Sequence, residues 1–303
     1  MSSAKPASIL DAVPAQPDLK QKALGSLSSL PPFSPILTRL LAVMSSDDVS
    51  FGALSDLIEK DTVVAGNILR LVNSALYARR GTVSSVRHAV SLLGATKVRN
   101  VVLAMSLARM WNRVKMPETW SMARFNMHSA AVAVLSDLLA QRLPVEYPEG
   151  AFVAGLLHDT GRLLIALALS QEYERILELY AAGDRPMTEC ELEILGFTHA
   201  ELSADALKYW NLPQEIQTAV GAHHGFIDPL SAELPLSRLV CAANQYTNSA
   251  GLSILAQAPI KGQSQAQAPD PSPLESLGLD QERLQPLLAQ FRLENDAMAE
   301  YFR

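Results

Sequence analysis

Cysteine and charge are both scarce in this sequence. Cys190 and Cys241 are the only cysteines among 303 residues, and they form no CxxC pair. The pattern predicts neither a disulfide framework nor a cysteine-ligated zinc finger, and it suits a reducing, cytoplasmic setting. Charged residues make up 18% of the chain and the net charge is −6, which argues against general affinity for nucleic acid or an anionic membrane. A DNA-binding regulator would need a recognition helix with a basic face, and none is evident.

A long uninterrupted apolar run is also missing. The N-terminus lacks the continuous apolar segment of a signal peptide. The most hydrophobic stretch, residues 151–169, is broken by His158, Asp159 and Arg162, so it is a poor membrane span. Apolar residues nevertheless reach 49%, enough for a large core. We therefore expect a globular protein that does not insert into a membrane.

Helical spacing is present from about Asp18 onward, and no convincing period-2 strand occurs, so the fold class is predicted to be all-α. Residues 1–17, rich in Pro, Ala and Ser, are expected to form a mobile tail. Residues 256–273 are expected to be a low-complexity linker, followed by a C-terminal helix within 274–303. Whether that helix docks on the body or on a second chain is left open.

Caps and breakers predict where the helices begin and end. Asp61 is a suitable N-cap for a helix that runs to about Leu76, and Ser84 or Ser85 can cap the helix that carries His88. Other boundaries are predicted at the capping boxes 188–191 and 198–201, at Pro148, Pro213 and Pro235, at a helix stop on Gly161, and at a kink or restart on Pro286.

The adjacent pair His158–Asp159 is the feature that needs an explanation. A buried carboxylate is costly unless it is paired or binds a cation, and imidazole beside carboxylate is a natural ligand set for iron, manganese or zinc. A second pair, His223–His224, also ends a predicted helix, where the carbonyl dipoles favour a cation. Any single histidine is more often a hydrogen-bonded core or capping residue than a metal ligand. His88 has no neighbouring histidine or carboxylate in the pattern and is interpreted as a surface or packing residue.

The ordered series His128, His158–Asp159, His199 and His223–His224 resembles the HD phosphohydrolase superfamily. Within it, LPPFSPI, IEKDTVVAGNILRLVNSALY, VSSVRHAVSLLGATKVRN, FVAGLLHDTGRLLI and the segment from LGFTHAELSADAL to GAHH resemble the HDOD family, the HD-related output domains. The resemblance covers roughly residues 23–250.

This resemblance implies a bacterial signal-output module that acts through protein partners, commonly without catalysis. It implies an N-terminal helical subdomain, residues 18–117, packed on an HD-type helical bundle, residues 118–255. Catalytic relatives are metal-dependent phosphohydrolases that act on nucleotides or cyclic dinucleotides, with metals that activate water and bind phosphate. By the resemblance, the positions of ligand type are His128, His158, Asp159, His199, His223 and His224.

Two departures from active relatives favour the interaction module over the enzyme. Asn244 lies where a metal-binding Asp is expected, and an Asn carbonyl brings one negative charge fewer. His224 is followed by Gly-Phe-Ile-Asp-Pro rather than by the GYP signature of cyclic-di-GMP phosphodiesterases. Arg162 stands where HD enzymes often carry Lys and could bind a phosphate, although an ion pair with Asp159 or a nearby Glu is the preferred interpretation. The metal, the partner and homo-oligomerisation stay open.

Overall fold

The computed structural model describes residues 17–43, 51–74, 77, 82–183, 185–225, 234–255 and 268–302. In those ranges the regular structure is helical, and the sole pairing of extended residues is an isolated bridge between Val145 and Leu234. The all-α prediction is thus confirmed. Most of the predicted tail and of the predicted linker lies outside the described residues.

Sixteen α-helices are described in chain order. They are α1 Pro17–Gly25, α2 Pro35–Val43, α3 Phe51–Glu59, α4 Thr62–Val72, α5 Val86–Leu93, α6 Ala95–Trp111, α7 Met122–Ala140, α8 Ala151–Leu157, α9 Thr160–Ala168, α10 Ser170–Ala182, α11 Met187–Leu195, α12 His199–Tyr209, α13 Gln214–Gly221, α14 Leu236–Ser249, α15 Ser272–Glu275 and α16 Gln281–Ala299. Short 3₁₀ turns at Ser26–Ser29 and Pro148–Gly150 lead on from α1 and into α8.

Several predicted caps are present. The Asp61 carboxylate accepts hydrogen bonds from the backbone N–H groups of Val63 and Val64 at the start of α4. That helix ends at Val72, earlier than the predicted Leu76, because the Asn73 side chain turns away to exchange two hydrogen bonds of 2.8 Å with the backbone of Val83. A polar side chain that bonds the backbone of another segment offers the chain an alternative to the helix, and the helix ends there.

The predicted capping boxes gave one correct boundary and one wrong one. Thr198 is the N-cap of α12 and accepts from Glu201 N–H, as expected. Thr188 is not a cap, because α11 begins one residue earlier, after Pro186. The Glu191 carboxylate therefore does not reach back to a helix start, and it is buried in the core instead.

The predicted stop at Gly161 is wrong. The chain interrupts the helix at His158–Asp159 and resumes it at Thr160, so that Gly161 is the second residue of α9. Gly161 is needed for contact rather than for termination, since a Cβ at this position would lie 2.1 Å from the His199 carbonyl oxygen. Pro286 likewise does not restart its helix. It lies inside an uninterrupted α16 at an exposed position, where water can satisfy the carbonyl that it leaves free.

Helix α7 lies at the centre of the bundle, and its predicted apolar face is buried. It packs on α8, α14 and α16. The approach to α8 is close, because a Cβ on Gly155 would lie only 2.8 Å from the Ala133 Cα. One continuous hydrophobic core extends from Ala23 in α1 to Phe302 after α16, so the N-terminal helices and the bundle share their apolar interior.

In the described part of the chain, the stretch Pro148–Ala168 is long and apolar enough to cross a membrane, but 83% of its most apolar part is buried inside the protein. This is the pattern of a central core helix, and it agrees with the expectation that the stretch is no membrane span. The C-terminal helix docks on the body of the protein, because α16 packs along α7. After α16, the Tyr301 hydroxyl donates a hydrogen bond to Asn67 O in α4.

Candidate metal centre

The fold brings together the six residues that the sequence singled out. They come from α7, from the break between α8 and α9, from the first residue of α12 and from the turn after α13. Five are buried and His224 is exposed, so His224 marks the edge at which the cluster meets the surface. We call this group the HD cluster; its members are His128, His158, Asp159, His199, His223 and His224. His88 lies on the surface, as its interpretation required.

The Asp159 carboxylate lies at the centre of the HD cluster, and each of its oxygens faces two imidazoles. Oδ1 lies 3.1 Å from His199 Nε2 and 3.6 Å from His223 Nε2. Oδ2 lies 3.4 Å from His158 Nε2 and 3.6 Å from His128 Nε2. Four Nε2 atoms therefore converge on one buried carboxylate.

The other ring nitrogen of each of these four histidines has an acceptor of its own. A ring whose Nδ1–H is donated to an acceptor keeps a free lone pair on Nε2, which is the tautomer that binds metals. The acceptors are Leu252 O for His128 at 2.7 Å, Gly155 O for His158 at 2.8 Å, Val220 O for His223 at 2.6 Å and the Glu191 carboxylate for His199 at 2.7 Å. Three of the rings are thus held by backbone carbonyls, and that of His199 by the Glu191 carboxylate, with Nε2 facing Asp159.

Glu191 belongs to the candidate site, although its sequence pattern had assigned it to a helix cap. Its carboxylate accepts from the Nδ1–H and from the backbone N–H of His199. The sequence feature that could have indicated this contact is the position of Glu191, next to Cys190 and eight residues before His199. Both Cys190 and Glu191 are buried on the core side of α11. A carboxylate behind a ligand-type histidine fixes the ring and raises its basicity.

Electrostatics follow from burial and from these contacts. Burial, reinforced by the neighbouring His158, lowers the pKa of His128 to about 3. Burial also lowers the pKa of His223 to about 4, although its contact with Asp159 opposes the shift. For His199, burial is outweighed by the Glu191 carboxylate, which raises the pKa. Two of the imidazoles are therefore neutral at physiological pH, with their lone pairs available.

Arg162 lies against Asp159, as the preferred interpretation expected. Its Nε is 3.4 Å from Asp159 Oδ1, and its side chain is 16% exposed. Burial of Asp159 opposes its ionisation, but Arg162 and the nearby imidazoles hold the pKa of the carboxyl well below its usual range. The cavity that Arg162 lines, beside Tyr173 and Glu191, has a volume of about 10 Å³, room for roughly one water molecule.

Three polar atoms of this region are buried without a hydrogen-bond partner: Asp159 Oδ1, Arg162 Nε and His223 Nε2. Unpaired buried polar atoms are uncommon, and a cluster of them indicates a place built for a ligand. Two groups of donor atoms lie close enough to hold a metal ion, one made of His128, His158 and Asp159, the other made of Asp159, His199, His223 and His224. The donor set of imidazole nitrogens and a carboxylate fits a first-row divalent metal.

Asn244 is buried in α14 and accepts a hydrogen bond of 2.7 Å from the Asn248 side chain. Its assignment to a ligand position stays a prediction. The segment after α14 matters in another way that the sequence did not indicate. Leu252 O fixes His128, the Leu255 carbonyl accepts from Arg124, and Ile254 lines the cavity beside Arg162. This segment therefore covers one side of the HD cluster.

Known protein families and known proteins include matches to this chain. The HDOD domain family model matches residues 30–226. The chain is 21% identical over 220 residues to an uncharacterized protein of Treponema pallidum (strain Nichols), and the match covers 72% of this chain but only 42% of that protein.

Solved structures show the same fold. An HDOD domain protein of unknown function from Geobacter sulfurreducens superposes with a TM-score of 0.71 at 22% identity, covering 94% of this chain and 97% of that one. A candidate phosphohydrolase from Shewanella amazonensis SB2B superposes with a TM-score of 0.69 at 25% identity, covering 93% of this chain and 98% of that one.

Proposed function

The chain belongs to the HDOD family, and we propose that it acts as a signal-output module whose HD cluster holds a divalent metal without turning over a substrate. The observation that carries this proposal is the enclosure of the cluster: five of its six residues are buried, and Asp159 is paired with a guanidinium. A phosphate ester needs open space beside the metal, and the cavity that Arg162 lines with Tyr173 and Glu191, about 10 Å³, is too small for one.

The metal would be bound by imidazole nitrogens and by Asp159, and iron, manganese and zinc accept that donor set. When bound, such an ion supplies positive charge to a buried anionic site and joins helices from different parts of the chain. His128 in α7, His158 at the end of α8 and Asp159 before α9 would then be linked through one centre. By linking these three segments, a bound ion would stabilise the helical bundle.

Two sequence features agree with a site that does not catalyse. Asn244, which the resemblance assigns to a position where active relatives carry a charged ligand, is neutral. The turn after His224 continues as Gly-Phe-Ile-Asp-Pro, without the GYP signature. Loss of a ligand charge weakens both metal affinity and the activation of water.

A metal-dependent phosphohydrolase is the second candidate, and two observations favour it. Asp159 is shared by two groups of donor atoms, as a carboxylate that serves two metals would be, and a structural relative at 25% identity is named as a candidate phosphohydrolase. Its substrate would be a nucleotide or a cyclic dinucleotide. In that case Arg162 would meet the phosphate.

The partners in the signalling function are proteins, and the compartment is the cytoplasm. Both described cysteines are free thiols, in keeping with a reducing environment. The acidic net charge of −6 disfavours nucleic acid and anionic membranes as general partners.

Metal analysis together with a turnover screen tests the proposal. Purified protein is expected to hold a divalent metal in stoichiometric amount and to hydrolyse neither bis(p-nitrophenyl) phosphate nor cyclic dinucleotides. Asp159→Asn is expected to lose the metal, whereas His88→Gln, on the surface, keeps it. Robust turnover that disappears in Asp159→Asn would establish the phosphohydrolase instead.

A further inference from the structure

The two groups of donor atoms around Asp159 use different oxygens of its carboxylate, and Arg162 lies beside only one of them. One uses Oδ2, with His128 and His158. The other uses Oδ1, with His199 and His223. The Arg162 guanidinium makes its closest approach on the Oδ1 side, where Nε lies 3.4 Å from the carboxylate oxygen. The site is therefore electrostatically asymmetric before any metal arrives.

On the Oδ1 side a positive charge is already built into the chain. Arg162 cannot lose its proton, and its side chain is 16% exposed, so solvent screens it weakly. A divalent ion on Oδ1 would share that oxygen with the guanidinium and would be repelled by it at short range. The α9 backbone keeps Arg162 in place, one helical turn from Asp159, where its N–H also donates to Asp159 O.

On the Oδ2 side no such obstacle is described. His128 and His158 present Nε2 atoms that are 3.3 Å apart, and both lie within 3.6 Å of Oδ2. Their Nδ1–H groups are committed to backbone carbonyls, so neither Nε2 has to carry the proton that would block a metal. Two free lone pairs and one carboxylate oxygen form the start of a tetrahedral or octahedral ligand set.

We propose that the HD cluster holds a single metal ion, bound by His128, His158 and Asp159 Oδ2, and that the Arg162 side chain takes the place of a second metal beside Oδ1. This inference rests on the metal binding of the proposed function and deepens it. Asp159 is then shared by one metal and one guanidinium. Each oxygen of the carboxylate then faces a cation. His199, His223 and His224 surround Oδ1, the oxygen next to Arg162, and have a structural role.

Removal of the guanidinium charge tests the assignment. Mn²⁺ binding is measured by calorimetry and by metal analysis after dialysis for wild type, Arg162→Met and Arg162→Lys. The expected stoichiometry is one ion in wild type and in Arg162→Lys, and two ions in Arg162→Met. The electron paramagnetic resonance spectrum is expected to change from that of an isolated Mn²⁺ ion to that of a spin-coupled pair. Arg87→Met, a surface substitution, is the matched control and keeps one ion.

A second pair of variants locates the ion without touching Arg162, and so covers the case in which Arg162→Met fails to fold. His158→Gln is expected to weaken Mn²⁺ binding at least 100-fold, whereas His223→Gln changes it less than 5-fold. Loss of the ion in His223→Gln with retention in His158→Gln would overturn the assignment, as would two ions in wild type.

The outcomes also separate this inference from the proposed function. One ion in wild type and one ion in folded Arg162→Met overturns the role of Arg162 and leaves the metal-holding module intact. If neither wild type nor Arg162→Met takes up an ion, both the role of Arg162 and the metal-holding module are overturned. Turnover by the wild-type protein with one bound ion overturns the absence of catalysis and leaves the assignment of Arg162 standing.

Discussion

Two groups of polar side chains lie between the helices of this protein, and they differ in how far their atoms are satisfied by hydrogen bonds and ion pairs. One is the HD cluster. The other, which we call the α16 cluster, lies where the C-terminal helix meets the N-terminal helices; its members are Tyr77, Lys97, Asn100, Asp137 and Glu294. In the α16 cluster Lys97 Nζ lies 2.5 Å from Glu294 Oε1, and Asn100 donates to Asp137. No side-chain atom of this cluster is among the described buried atoms that lack a partner.

In the HD cluster and at the neighbouring Arg162, some buried polar atoms have no hydrogen-bond partner. These atoms are Asp159 Oδ1, His223 Nε2 and Arg162 Nε. A polar group whose members satisfy one another is complete as architecture, whereas one with converging unpaired atoms requires something else to complete it. We therefore expect the α16 cluster to fix α16 and the HD cluster to bind a ligand, as proposed above.

The largest expected effect comes from Asp159→Asn. This substitution leaves the Arg162 guanidinium buried without its partner carboxylate, and we expect it to lower the free energy of unfolding by about 3–5 kcal/mol and to abolish metal binding. Chemical denaturation of the metal-free protein measures the first effect. Glu294→Gln in the α16 cluster is the matched control and is expected to cost much less. Equal costs for the two variants would remove the distinction between the clusters.

Gly161→Ala is expected to be next in size. The new Cβ would lie 2.1 Å from the His199 carbonyl oxygen, which is backbone and cannot rotate away, so α9 and α12 must separate. Overpacking of this kind costs about 3 kcal/mol. Gly66→Ala in α4 is the control, because a Cβ there meets nothing within 4 Å. Thermal unfolding that shifts equally in both variants would show that the close approach does not constrain the site.

Acid is expected to destabilise the protein through two histidines of the HD cluster. Burial lowers the pKa values of His128 and His223 to about 3 and about 4, below the ordinary 6.5 of the unfolded chain. Between pH 6.5 and 4 the unfolded state therefore binds protons that the folded state does not, and stability falls as the pH falls.

The expected loss for each of these histidines is on the order of 2 kcal/mol. Denaturation of the chelated protein at a series of pH values measures it, and His223→Asn is expected to flatten the dependence, since an amide can replace the Nδ1–H donor to Val220 O. A stability that is flat from pH 6.5 to 4.5 in wild type contradicts this account of the buried rings.

The smallest effect belongs to the α16 cluster. The Lys97 and Glu294 side chains are 29% and 14% exposed, and we expect a coupling free energy of about 1 kcal/mol in a double-mutant cycle with Lys97→Met and Glu294→Gln. The exposed pair Arg87–Asp56, with side chains 68% and 60% exposed, is expected to give a coupling near zero. A coupling at Lys97–Glu294 as small as that of the exposed pair would mean that this contact does not fix α16.

Local signals predicted much of the fold and the membership of the site. The caps at Asp61, Ser85 and Thr198 were correct, because a side-chain acceptor three residues before an apolar repeat acts within one helical turn. Gly161 was assigned wrongly because its role is set by another helix. Glu191 was missed for the same reason, since its partner His199 belongs to the next helix and not to its own first turn.

The sequence by itself determined the helical class, the family and the identity of the ligand-type histidines, because periodicity, capping and motif order are properties of neighbouring residues. Tertiary structure decided what those residues do to one another. The placement of Arg162 on the Oδ1 side of Asp159, the anchoring of His199 by Glu191 and the cover provided by Leu252–Leu255 depend on distances of a few ångströms between distant segments. Buried electrostatics change steeply over such distances, so only the packed chain could decide them.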